Sequence, residues 1–246
     1  MSRRTEMLGY HPKVDEDVSP RARAQRDMQS RLNLLLSEVD FKDKVVLDLG
    51  CSGGYFSLSL AKYAKKVIAV DGDEEIIKRN VMEAARLGIN NVEFVCAEIT
   101  PDLVNSVQKV DVAVFMSVLH HMMGASGIYD WCVPSGQKNI SLLLGAIRNN
   151  AETFVFEMGE SVSQKENWEI LLKKVVPNLD DWIVSEVFGA SFSVVKRLPG
   201  VAYKRWPFSR FNSLGGWAQK TKIGRVFCHQ TGIDRRDFRT IYVGVR

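Results

Sequence analysis

The sequence predicts an α/β protein whose core is a mostly parallel sheet with helices on both faces. Three observations predict it. Short apolar runs rich in Val, Ile and Phe recur between residues 44 and 158; stretches of helical periodicity separate them; and the intervals suit βαβ crossovers rather than hairpins. At 246 residues, with 46% hydrophobic and 25% charged residues, the chain has the size and composition of one such domain with additions.

The elements follow in order. Residues 1–40 are polar and read as an N-terminal helical extension to a domain covering 41–246. Within the extension a helix is expected from about Arg21 to Val39, where Met28, Leu32, Leu35 and Leu36 recur at helical spacing. VVLDL (45–49) is a buried-type strand, and YFSLSLAKYA (55–64) reads as a helix. VIAVD (67–71) is a second strand, followed by a helix from Glu74 to Leu87 that stops at Gly88, a favoured residue just past a helix end. VEFVCA (92–97) is a third strand; VDVAVFMS (110–117) is a fourth and opens onto VLHHMMGA. A helix over Ile140–Arg148 leads to a fifth strand, TFVFEM (153–158).

Beyond Met158 the pattern loosens. Residues 164–175 look helical, WIVSEVFG (182–189) looks like a sixth strand, and TIYVGVR (240–246) is a closing seventh. Residues 197–237, rich in Gly, aromatics and Lys/Arg, are too long for a turn and read as an inserted cap over the substrate.

Charge is unevenly spread. The formal net charge is +4, yet the stretch from Lys196 to Arg246 holds twelve Lys and Arg against two acids, Asp234 and Asp237. The first 195 residues keep the other 21 basic and 27 acidic residues and are mildly acidic. Such a block marks contact with phosphate, nucleic acid or a membrane surface, or is a solvated face. The arginines from Arg21 to Arg31 are expected to extend it. No run of about 18 apolar residues is present, and the polar N-terminus lacks the apolar stretch of a signal peptide. Cys51, Cys96, Cys132 and Cys228 form no C-x-x-C pair, so neither a zinc site nor a disulfide framework is expected, and a reducing cytoplasm suits them.

The most informative segment joins the first strand to the following helix: Asp48-Leu49-Gly50-Cys51-Ser52-Gly53-Gly54. A Gly-rich turn at the carboxyl end of a parallel strand lets a ligand approach the backbone closely. Counted from Gly50, the dinucleotide pattern G-x-G-x-x-G needs glycines where Ser52 and Tyr55 stand. A phosphate-binding P-loop needs Gly-Lys where Tyr55-Phe56 stand. What remains is D-x-G-C-x-x-G, followed by an acid ending the second strand, Asp71, and another after the third, Glu98. Taken alone, Asp71 is equally a helix cap.

This pattern resembles the class I family of S-adenosylmethionine-dependent methyltransferases over roughly residues 41–160. The resemblance implies a Rossmann-like, mostly parallel seven-stranded sheet with the last strand antiparallel, and S-adenosylmethionine as cofactor. It implies that Gly50, Cys51, Ser52, Gly53 and Gly54 pass around the amino-acid part of the cofactor, with Asp48 and Phe56 near that end. Asp71, with Gly72 beside it, would hold both ribose hydroxyls, since one carboxylate can accept two hydrogen bonds from a cis-diol. Glu98 and Ile99 would flank the adenine; Phe115, Met116 and Ser117 would line the sulfonium end.

Methyl transfer from a sulfonium is a direct displacement, so alignment dominates, and a base is needed only if the acceptor must lose a proton. His120 and His121 follow the fourth strand and are candidate bases, or simply packing residues. GYFSLSLA, SVLHHM and FEMGE also resemble methyltransferase domains that modify or terminate bacterial surface glycans. An acceptor phosphate would suit the basic block, with Arg205, Arg210, Lys220 and Lys222 as substrate-binding candidates. The long basic insertion departs from that group, which joins its final two strands briefly. The alternatives are RNA, tRNA above all, met by cations interleaved with Tyr203, Trp206, Phe208, Phe211 and Trp217, and a small-molecule O- or N-acceptor. A cofactor-binding scaffold without turnover is a further class. The location expected is cytoplasmic, with the basic block a candidate for peripheral contact with the inner membrane face; no metal is expected.

Overall fold

A computed structural model describes residues 28–122, 134–158, 179–198 and 240–246. Its elements are α1 (Met28–Glu38), β1 (Val45–Leu49), α2 (Tyr55–Leu60), β2 (Lys66–Asp71), α3 (Glu74–Arg86), β3 (Val92–Cys96), α4 (Pro101–Ser106), β4 (Val110–Met116), α5 (Leu119–Met122), α6 (Pro134–Asn150), β5 (Ala151–Glu157), α7 (Leu179–Trp182), β6 (Val194–Leu198) and β7 (Ile241–Val245). The seven strands form one sheet in the order β3-β2-β1-β4-β5-β7-β6. The first five run parallel, while β7 pairs antiparallel with both β5 and β6.

The period of two along each strand divides the core between the sheet's faces. On β4, Ala113 and Phe115 point to one face and Val112, Val114 and Met116 to the other; on β5, Phe154 and Phe156 oppose Val155 in the same way. The first face is covered by α6, through Ile140, Leu143, Leu144 and Ile147, and by Phe188. The second is covered by α1 and α2, through Leu32, Leu35, Phe56 and Leu60. Strands buried on both sides carry no polar alternation, which is why β1, β4 and β5 are dominated by apolar residues.

Two expectations change. WIVSEVFG is not a strand: Trp182 ends α7 and Ile183–Phe188 continue as a wide π-helical turn. Its buried residues, Ile183, Val187 and Phe188, share a helical face, while Val184 is exposed. Arg148 of α6 stabilises the turn by donating to the carbonyls of Glu186 and Val187. The sixth strand lies further on, at Val194–Leu198, so Arg197 and Leu198 are ladder residues paired with Tyr242 and Ile241. The expected helix over 164–175 and the insertion from residue 199 to 237 lie outside the described residues.

Candidate functional site

The strand order reverses between β1 and β4, since β2 and β3 extend to one side and β5 to the other. In open α/β sheets, ligands bind at this switch point, outside the carboxyl ends of the strands. The loop Gly50–Gly54 stands there. Three of its residues take left-handed backbone angles: Gly50 (φ 80°), Ser52 (φ 46°) and Gly54 (φ 74°). Gly50 is obligatory twice over, because a Cβ there would also come within 2.3 Å of Val118 Cγ2. The amides of Gly50 and Cys51 both donate to the Val70 carbonyl, at 2.8 and 2.9 Å, which folds the loop back over β2.

Side chains lock that shape. Both Asp71 carboxylate oxygens accept backbone amides, Oδ2 from Ser52 at 2.9 Å and Oδ1 from Asp73 at 3.0 Å. Asp71 is thus not a helix cap; Asp73 caps α3, accepting from Glu75 and Ile76. Each Asp71 oxygen has a further lone pair with which to accept another hydrogen bond. Buried Asn80 of α3 donates to the Ser52 carbonyl at 2.7 Å. Asp48, buried under the loop, accepts the Ser57 hydroxyl at 2.5 Å. Burial pushes its carboxyl up to about 6, with the nearby Asp71 charge adding to the rise and the Ser57 hydrogen bond opposing it. Burial first, then Asp48 and Asp71, push the Cys51 thiol well above its ordinary range, so it stays a neutral packing group.

Across the switch point, the end of β4 is built differently. Ser117 has φ 60°, a strained value for a non-glycine residue, and its amide donates to the Glu157 carbonyl at 2.8 Å. Its hydroxyl donates to Glu157 Oε1. Glu157, wholly buried at the end of β5, receives Arg31 of α1 through two parallel hydrogen bonds of 2.8 Å. Arg31 also approaches Ser117 Oγ at 3.5 Å, donates to Met28 Sδ at 3.3 Å and lies over the Phe56 ring at 5.0 Å from its centroid. This corrects the reading of Arg31 as surface charge: only 6% of it is exposed. Neither Arg31 nor Glu157 stood out in the sequence. The one available hint was a lone arginine among the apolar positions of an amphipathic helix.

The remaining candidates distribute as follows. Gly72 packs near the Ala97 carbonyl, with Glu98 exposed and Ile99 buried beside the same strand ends. Gly53 is exposed, Phe56 is buried against α1, Met116 points to the α1 face, and Phe115 is turned away into the core against Phe156. His120 and His121 share α5 with ring centroids 4.0 Å apart; His120 is buried and His121 exposed. Arg205, Arg210, Lys220 and Lys222 lie outside the described residues. Among the described residues, no His/Cys/Asp/Glu group could hold a metal ion, and no helix is long and apolar enough to cross a membrane.

A left-handed glycine loop at the switch point, an acid ending β2 and a seven-stranded sheet with an antiparallel β7 define a Rossmann-like methyltransferase fold. A family model described as a methyltransferase domain matches residues 40–183, and the chain belongs to this class I S-adenosylmethionine-dependent family. Among relatives, the O-antigen chain terminator bifunctional methyltransferase/kinase WbdD of Escherichia coli is 31% identical over 131 residues, 48% of this chain and 17% of WbdD. The ubiquinone biosynthesis O-methyltransferase of Coxiella burnetii is 29% identical over 128 residues, 51% of this chain and 53% of that protein. The chain thus spans from under a fifth to about half of the length of these relatives. Two solved structures share the fold. One is WbdD, with a TM-score of 0.60 and 19% identity over 98% of this chain and 46% of that one. The other is magnesium protoporphyrin IX methyltransferase from Synechocystis PCC 6803 with bound SAH, with a TM-score of 0.57 and 14% identity over 98% and 92%.

Proposed function

We propose that the chain transfers a methyl group from S-adenosylmethionine to an anionic acceptor, a glycan or a glycan phosphate. The observation that carries the first part is the Gly50–Gly54 cradle beside Asp71: its backbone is open where a Cβ would strike Val118, and Asp71 keeps acceptor capacity after bonding two amides. The residues fit the cofactor. Gly50–Gly54 would hold its amino-acid part, Asp71 its ribose hydroxyls, and Glu98 and Ile99 its adenine. When bound, S-adenosylmethionine supplies a methyl group on a positively charged sulfur, which leaves as a neutral thioether with the bonding electron pair. The chain's residues then serve mainly to align an acceptor oxygen or nitrogen behind that methyl. His120 or His121 would take a proton from the acceptor if one must be lost, and of the two His121 is the exposed one.

The acceptor class rests on the WbdD likeness and on the excess of cations after Lys196, with Arg205, Arg210, Lys220 and Lys222 as anion-binding candidates. A cytoplasmic location with contact at the inner membrane face belongs to the same proposal. Calorimetric titration with S-adenosylmethionine tests the donor: wild type should bind, and Asp71→Ala should bind about 100-fold more weakly. Incubation with labelled cofactor and separate glycan and RNA fractions tests the acceptor; label in RNA alone overturns the glycan assignment. For a phosphate acceptor, already ionised, His121→Ala should keep most of the turnover, whereas loss of more than about 100-fold points to a protonated nucleophile.

A further inference from the structure

We infer that Glu157 and Arg31 set the charge felt at the transfer end of the cofactor site, and thereby how strongly it prefers the methyl-bearing sulfonium over the uncharged thioether left after transfer. This rests on the donor assignment proposed above. Reading across the carboxyl ends of the sheet, Asp71 ends β2, the glycine loop ends β1, Ser117 follows β4 and Glu157 ends β5. Neighbouring strands lie about 4.8 Å apart. A cofactor anchored by its ribose at Asp71 and passing the loop would have its sulfur on the Ser117 side of the cleft. Among the described residues, a buried anion, Glu157, and a buried cation, Arg31, stand behind half-buried Ser117, both in contact with its hydroxyl. Buried charges are little screened by solvent or salt. Paired, they nearly cancel; removal of either exposes the sulfur to the other.

The opposite signs make a test that needs no acceptor. Affinities for S-adenosylmethionine and S-adenosylhomocysteine are measured by calorimetry, and their ratio is the readout. Glu157→Gln leaves the guanidinium and should lower the preference for the sulfonium about tenfold. Arg31→Gln leaves the carboxylate and should raise it by a similar factor, while Arg31→Lys, which keeps the charge, should stay within about twofold of wild type. A merely structural role shifts both affinities together and leaves the ratio unchanged. Should a Gln variant not fold, Met28→Glu adds an acid against Arg31 without removing either partner and should raise the ratio. Ratios that do not move, or that move the same way for both charges, overturn the inference. Failure of wild type to bind either ligand instead overturns the donor assignment.

Discussion

The two halves of the cleft are held by different kinds of contact. On the β1–β2 side, the tying pairs are close in sequence: Ser57 to Asp48 across nine residues, Ser52 to Asp71 across nineteen, Asn80 to Ser52 across twenty-eight. On the β4–β5 side, Arg31 reaches Ser117 across 86 residues and Glu157 across 126. The first half is complete once a single β-α-β-α stretch has folded. The second is tied in part within β4–β5, by Ser117 to Glu157 across forty residues, and is completed only when α1 docks and brings in Arg31, so that part depends on tertiary assembly. A loop closed locally tolerates little change in its own sequence, whereas a long-range pair can be lost without disturbing the loop.

The largest effect is expected from breaking the long-range pair. Glu157→Gln leaves the Arg31 guanidinium buried against a neutral partner and should cost roughly 3–5 kcal/mol in urea unfolding. Replacing both residues, as in Arg31→Met/Glu157→Met, removes the uncompensated charge and should recover most of that loss. A cost below about 1 kcal/mol for Glu157→Gln would mean that apolar packing of Leu32 and Leu35, and not the ion pair, docks α1. Next comes the local half. Gly50→Ala combines a left-handed backbone with a Cβ 2.3 Å from Val118 Cγ2, and should cost about 3 kcal/mol. Pairing it with Val118→Ala separates the causes: the clash component recovers, the backbone component does not.

The same contrast explains what could be read from the sequence. β1, β2, β4 and β5 announce themselves because burial leaves short runs dominated by apolar residues, and the loop because its glycines and flanking acids sit within one short window. WIVSEVFG misled because a run of apolar residues broken by Ser185-Glu186 satisfies strand and helix patterns alike; its burial falls at 183, 187 and 188, with Phe188 packed against the rings of Phe154 and Tyr242. β6 was hidden for a related reason: Val194–Leu198 carries Lys196 and Arg197 at the sheet's edge, where cations are tolerated, and so merges with the basic stretch after it. Arg31 and Glu157 were illegible individually, since nothing local marks a charge whose partner lies 126 residues away.

The smallest predicted change has the opposite sign and falls within the local half. The Asp48 carboxyl is held near 6, above its unfolded value of 3.8, because burial disfavours its charged form. An acid whose pKa rises on folding binds its proton more tightly in the native state, so its contribution is favourable at low pH and is lost as pH rises from about 4 to about 6. Asp48→Asn removes the charge while keeping an oxygen to accept the Ser57 hydroxyl. It should therefore stabilise the protein at pH 7–8 by about 2 kcal/mol relative to wild type, with the gain shrinking toward zero near pH 4. Thermal unfolding of both proteins across that range checks it. A gain that persists unchanged at pH 4 would point to relief of packing strain, and a loss at pH 8 would show that the ionised carboxylate is itself a tie of the loop. If stability rises while S-adenosylmethionine affinity falls, the buried charge is kept for ligand binding at the expense of the fold. That is the pattern expected of a locally built site, where the residues that hold the loop also face what it binds.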